Sequence, residues 1–142
     1  MSLVKNTLSV GNTRNQPNTL SNHFYIEKES DVVKLLSLFN VIVSNERLIP
    51  FNLYVIRYYS ETCFACLLSN ESFFKFVEAH SSIMFITLDV KKYYQQGIFN
   101  RSRATPSFSV NSIWAGHIKL IIGANFPMLQ EALLSLDSTI IK

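Results

Sequence analysis

Cys63 and Cys66 are the only cysteines in the 142-residue chain, and they stand three positions apart in Thr62-Cys63-Phe64-Ala65-Cys66. Thiols at i and i+3 reach each other when the first caps a helix and the second lies one turn inside it, so the spacing points to a redox dithiol. At a helix start, unpaired backbone N–H groups and the positive end of the helix dipole favour an anion. They draw a thiol from about 8.5 toward a range of about 3.5 to 7.5. On this reading Cys63 is the attacking nucleophile and Cys66 the resolving thiol. Zinc is the competing chemistry, but a structural site needs four ligands, and only the scattered His23, His80 and His117 are available to join the pair. No metal and no other cofactor is expected.

The dithiol needs a strand-to-helix junction to hold it. Asn52 to Tyr59 is rich in β-branched and aromatic residues and reads as a buried strand, while Cys66 to His80 carries apolar residues at helical intervals. Upstream, His23 to Ile26 reads as a first strand. Ser30 or Asp31 then caps a helix through Ser44 whose inner stripe is Val32, Leu35, Leu36 and Phe39. Pro50 ends the following connection. Downstream, Ile83 to Asp89 reads as another buried strand and Lys91 to Asn100 as a short polar helix. Ser107 to Val110 and His117 to Ile122 read as a hairpin around Ala115-Gly116. Its period-two residues are Phe108 and Val110, then Ile118, Leu120 and Ile122. A last helix spans Phe126 to Leu136, with Asn125 as N-cap, Pro127 in the first turn, and Leu129, Ala132, Leu133 and Leu136 facing inward. The order β-α-β-α-β-α-β-β-α belongs to the α/β class: a mixed central sheet with helices on both faces.

An apolar content of 48% and an aromatic content of 13% suit one domain with a substantial core. No window reaches the roughly 18 consecutive apolar residues of a membrane span, and no secretory signal is apparent, so a soluble cytoplasmic protein is expected. The net charge of +3 is spread without a basic stripe, which gives nucleic acid little support as a partner, and with no apolar span no membrane partner is expected. Residues Met1 to Asn22 are rich in Asn, Ser and Thr and read as a flexible extension to a domain over 23–142. The first acidic residue is Glu27, so an organelle transit segment stands beside the plain tail as an alternative.

From His23 to Leu136 the chain resembles the thioredoxin family. The resemblance lies in the strand followed by Cys63-Phe64-Ala65-Cys66, in Arg103-Ala104-Thr105-Pro106-Ser107-Phe108, which is similar to the loop carrying the family's cis-proline, and in Ile122-Gly123-Ala124-Asn125 before the last helix. Leu88-Asp89-Val90 ends the middle strand. It implies a thioredoxin fold with Pro106 cis against the cysteine pair, and the backbone of Thr105 free to pair with an extended substrate segment. Thr62, Phe64, Thr105, Pro106, Gly123 and Ala124 would then line the substrate groove around Cys63. Implied partners are proteins carrying disulfides or thiols, with an external reductase or small thiol as electron donor; a monomer is expected. Iron–sulfur binding of the glutaredoxin-like kind lacks its Gly-Gly and Asp pattern after Ile122.

Several positions depart from the family. Thr62 stands where a tryptophan usually precedes the first cysteine, and Phe64-Ala65 replaces the usual Gly-Pro. Arg57 aligns with the buried aspartate that helps take up the proton of the resolving thiol, and Phe85 with a frequent buried lysine. A guanidinium favours a nearby thiolate but is no ordinary proton acceptor, so Arg57 would modulate how Cys66 resolves a mixed disulfide. Alternatively Arg57 snorkels out of the strand end. The helix after Cys66 lacks the family's proline, which predicts a straighter helix. Arg101 and Arg103, with Lys91 and Lys92, either steer acidic partners or form a solvated face. The resulting expectation is a thiol-disulfide oxidoreductase; the alternative is a non-catalytic binding module or adaptor using the same groove.

Overall fold

A computed structural model of the chain describes residues 22–44, 53–93, 104–113 and 116–140. The runs His23–Ile26 (β1), Leu53–Tyr59 (β2) and Met84–Asp89 (β3) are apolar at most positions because helices cover both of their faces, the usual state of parallel strands. β3 pairs in parallel with β1, placing Phe24 beside Ile86, and with β2, placing Arg57 beside Thr87. Ser107–Ser112 (β4) runs antiparallel to β2 and Gly116–Ile122 (β5) antiparallel to β4. The sheet is mixed, in the order β1-β3-β2-β4-β5.

Strand side chains alternate between faces, and this alternation divides the core in two. On one face Ile56, Tyr58, Ile86 and Leu88 meet Val32 and Leu35 of Glu29–Ser44 (α1). On the other, Leu53, Val55, Phe85, Phe108, Val110 and Ile121 meet Phe73, Phe76 and Val77 of Asn70–Ala79 (α3) and Leu129 and Leu133 of Phe126–Ile140 (α4). Phe64–Leu68 (α2) precedes α3 and carries the second cysteine. Arg57, lying between Val55 and Tyr59 in β2, points to this second face. Asn125 Oδ1 accepts the Met128 N–H at 3.1 Å, so α4 begins with the expected cap, and Ala132 and Leu136 join its inner face.

Asn22 is buried, although it closes the stretch read as an extension. Its Nδ2 lies 3.2, 3.1 and 2.9 Å from the carbonyl oxygens of Val77, His80 and Ile83, which ties the start of β1 to the end of α3. Residues 1–21 lie outside the described residues, as do Pro50, Ala115, Arg101, Arg103 and residues 94–100 of the expected polar helix. Lys91 and Lys92 form a turn whose N–H groups are held by Asp89 Oδ1 at 3.0 and 3.1 Å. Among the described residues no helix is long and apolar enough to cross a membrane.

Three local expectations are corrected. In α1, Leu36 is 42% exposed while Leu38 packs on the core, because the contact line advances in steps of three through Val32, Leu35 and Leu38. In β5, Ile118, Leu120 and Ile122 are the exposed set and Ile121 is the buried residue. Ile121 stands opposite Phe108 under α4, and a bulge between Val110 and Asn111 leaves Ile118 as the extra residue, so simple alternation misassigns the face. The helix after Cys66 is not continuous. Ser69, with φ −95° and ψ 2°, divides α2 from α3, and its hydroxyl donates to the carbonyls of Ala65 at 2.8 Å and Cys66 at 3.2 Å. A serine bonding backward in this way bends a helix that has no proline to do so.

Candidate active site

β2 is fully paired up to Tyr59, after which the chain leaves the sheet through a tight turn. Ser60, buried, accepts the Thr62 N–H on its hydroxyl at 3.2 Å and the Cys63 N–H on its carbonyl at 3.1 Å. That turn delivers Cys63 to the N-cap of α2 in an extended conformation (φ −88°, ψ 109°), where its Sγ accepts the Cys66 N–H at 3.0 Å. Cys63 and Cys66 are joined as a disulfide with Cα atoms 5.2 Å apart. The two sulfur positions differ in access: Cys63 is half-buried, whereas Cys66 is 0% exposed. An attacking group reaches Cys63 first.

The remaining groove residues come to the same end of the sheet. Tyr58 of β2 stands opposite Ser107, and Ser107 opposite Ile122. Pro106, just before Ser107, and Gly123, just after Ile122, therefore emerge beside the turn that carries Thr62 and Cys63. The Thr105–Pro106 bond is cis, and the Gly123 N–H donates to the Pro106 carbonyl at 2.8 Å. Gly123 has φ +89°, a left-handed conformation that glycine adopts without a Cβ penalty. Pro106 is buried, Thr105 and Gly123 are half-buried, and Thr62, Phe64 and Ala124 are exposed, Phe64 at 73%. Lys92 is engaged across the same end, with Nζ 3.4 Å from Glu27 and 3.2 Å from Glu61.

Arg57 does not snorkel: it is 2% exposed. Its Nε donates to Thr87 Oγ1 at 3.3 Å and its Nη1 to Asn70 Oδ1 at 2.7 Å. Cζ lies 3.9 Å from the ring centroid of Phe73 and 4.7 Å from that of Tyr59. Burial pulls the guanidinium down to about 10, with Tyr25 and Tyr59 acting the other way, which leaves it a full cation at neutral pH. Burial likewise pushes the Tyr25 phenol up to about 12, against the pull of Arg57. His23 Nε2 meets Thr87 Oγ1 at 2.8 Å, extending the chain of polar contacts to β1. Asn70, Thr87 and His23 were not singled out as site residues by the sequence. The signal for Asn70 is its spacing from Phe73, since the two are i and i+3 on one face of α3. Phe85, fully buried, packs edge-on to Phe73 and Phe76 with centroids 6.0 Å from each.

No family model matches the chain, and no curated protein matches it. Solved structures do. A thioredoxin h from poplar superposes with a TM-score of 0.63 at 19% identity, covering 81% of this chain and 96% of its own. The germline-specific thioredoxin Deadhead of Drosophila gives 0.61 at 17% identity, covering 79% and 97%. The oxidised form of mitochondrial thioredoxin 3 from Saccharomyces cerevisiae gives 0.56 at 23% identity, covering 71% and 89%. With the mixed five-stranded sheet, the helices on both its faces and the disulfide at the junction of β2 and α2, these superpositions establish that the chain has the thioredoxin fold.

Proposed function

We propose that the chain is a thiol-disulfide oxidoreductase acting on protein substrates through Cys63 and Cys66. The observation that carries this reading is the disulfide between a half-buried Cys63 and a fully buried Cys66, at the sheet end shared with Pro106 and Gly123.

In the reduced pair, the Cys63 thiolate attacks one sulfur of a substrate disulfide. The substrate S–S bond breaks, its second sulfur leaves as a thiolate, and a mixed disulfide forms. Cys66, once deprotonated, attacks Cys63 Sγ, forms the Cys63–Cys66 bond and releases the other substrate sulfur. The substrate gains two electrons and two protons, and an external reductase or small thiol restores the dithiol. The backbone N–H of Cys66, which points at Cys63 Sγ, favours a thiolate there. Thr105 supplies backbone for an extended substrate, and Thr62, Phe64, Pro106, Gly123 and Ala124 line its path.

The exposed apolar residues Phe64, Leu67 and Leu68 also favour an adaptor reading, in which the same surface binds a partner without chemistry. Cys66→Ser separates the two readings. With insulin as substrate, the oxidoreductase reading expects a mixed disulfide at Cys63 that dithiothreitol releases, and no turnover. Absence of any covalent adduct, together with undiminished partner binding when both cysteines are serine, would leave the adaptor.

A further inference from the structure

Among the described residues, Arg57 is a buried cation with no carboxylate beside it. Asp89 Oδ1 is taken by the N–H groups of Lys91 and Lys92, and Glu27 and Glu61 meet Lys92. The groups that do face it are uncharged at neutral pH: the amide oxygen of Asn70, the hydroxyl of Thr87, the rings of Phe73, Phe74 and Tyr59, and the phenol of Tyr25. Dipoles and ring faces solvate the charge without neutralising it. A desolvated, uncompensated ion is unfavourable, and a negative charge arising nearby relieves it.

Exchange at the disulfide creates such a charge. Asn70 and Phe73, three apart in the first turn of α3, share one face, and the guanidinium rests on both. Asn70 directly follows Ser69, whose hydroxyl donates to the Cys66 carbonyl at 3.2 Å, so the guanidinium held by Asn70 at 2.7 Å lies at the junction just past Cys66. In the disulfide both sulfurs are neutral. When Cys63 is attacked, the electron pair of the S–S bond leaves on Cys66, inside the protein and out of reach of water.

Resting on the thiol-disulfide reading above, we propose that Arg57 is a positioning charge that makes the Cys63–Cys66 disulfide an acceptor of electrons from a partner dithiol. The partner thiolate attacks Cys63 Sγ, the Cys63–Cys66 bond breaks, and Cys66 leaves as a thiolate facing Arg57. The partner's second thiolate attacks its own sulfur in the mixed disulfide, closing the partner disulfide and expelling Cys63 as a thiolate. The partner dithiol gives up two electrons to the Cys63–Cys66 pair, which is left as two thiolates, and releases its two protons to solvent. At an effective dielectric of about 20, two opposite unit charges about 8 Å apart favour the charged form by about 30-fold, which sets the scale of the effect expected on the reduced pair.

The test is a glutathione redox titration of the full chain, with Arg57→Met and Arg57→Lys alongside. Arg57→Met is expected to lower the equilibrium constant for reduction by about 10- to 30-fold, a shift of about 30 to 45 mV toward reducing potentials. Arg57→Lys is expected to stay near wild type. A change of less than twofold in folded Arg57→Met overturns the proposal. A second measurement leaves Arg57 in place: in Cys63→Ser, the thiolate absorbance of Cys66 is expected to titrate below about 8.5 despite full burial. Titration above that value overturns the proposal even if Arg57→Met fails to fold. If the wild-type pair shows no two-electron transition, the thiol-disulfide reading itself falls. A normal wild-type transition with unchanged Arg57→Met removes only the role of Arg57.

Discussion

The stacking of Arg57 on Phe73 should be measurable as a coupling energy. Cζ sits 3.9 Å from the ring centroid, and Phe73 is 0% exposed, so the contact is fully desolvated. Exposed cation–π pairs contribute about 0.5 to 1 kcal/mol and desolvated ones about 2 kcal/mol or more, which sets the expectation here at about 2 kcal/mol. The perturbations are Arg57→Met, Phe73→Leu and the double variant. Phe73→Leu alone is expected to cost about 2 to 3 kcal/mol, since it also loses ring contacts with Phe74, Phe85, Phe108 and His23. Arg57→Met has opposing parts: it removes an unneutralised buried charge, but it strips Asn70 of a 2.7 Å donor. The cycle cancels these single-site effects and isolates the pair, provided equilibrium urea unfolding at pH 7 gives the same m-value for all four proteins. A coupling below about 0.5 kcal/mol would refute the claim that the ring face is what solvates the cation.

Other outcomes follow from the same geometry. Asn22→Ala should cost about 2 to 4 kcal/mol in urea unfolding, because it removes the donor shared by three buried or part-buried carbonyls; a loss under about 0.5 kcal/mol would show that the anchor is not needed. Gly123→Ala should cost about 1 to 2 kcal/mol from its φ of +89° alone, since no atom beyond its chain neighbours lies within 4 Å of an added Cβ; a loss well above that range would indicate crowding instead. Tyr25 carries a pH signature. Its phenol is raised from 10.0 to about 12, so the folded state keeps a proton that the unfolded state releases between those values. Stability from this group is complete below about pH 10 and falls as pH rises toward 12, by up to about 1.4 kcal/mol per unit. Arg57, held down at about 10, contributes the opposite slope, so the clean readout is the difference between wild type and Tyr25→Phe. That difference should change across pH 10 to 12, and a flat one would contradict the assignment.

The strands and the dithiol were legible in the sequence for a shared reason: their signals are local. β1, β2 and β3 are apolar at most positions because both faces are covered, and Cys63 and Cys66 have no competing cysteines. The inner face of α4 was equally plain, since its cap and its stripe lie within one element. What escaped depends on a neighbour. Period two in β5 picks out Ile118, Leu120 and Ile122 as one face, but whether that face is buried is decided by α4 and by the bulge opposite Val110 and Asn111. The break at Ser69 arises from one hydroxyl turning back onto two carbonyls, a choice that composition does not encode. Asn70, Thr87 and His23 come from three separate elements, and only their meeting around Arg57 gives them a joint role.

The bulge in the outer hairpin also governs how the sheet ends. Among the described residues its edge strands are β1, with four residues, and β5. A flat, apolar, regularly paired edge is a template onto which another chain adds a strand, and neither edge has that form. β1 is too short to hold a long ladder. β5 is kinked by its unpaired Ile118 and carries the charged Lys119 immediately after it, so the run of exposed Ile118, Leu120 and Ile122 is interrupted in register and in polarity. That strand thus shows an apolar surface to solvent while denying an incoming backbone the continuous ladder from which fibrils grow.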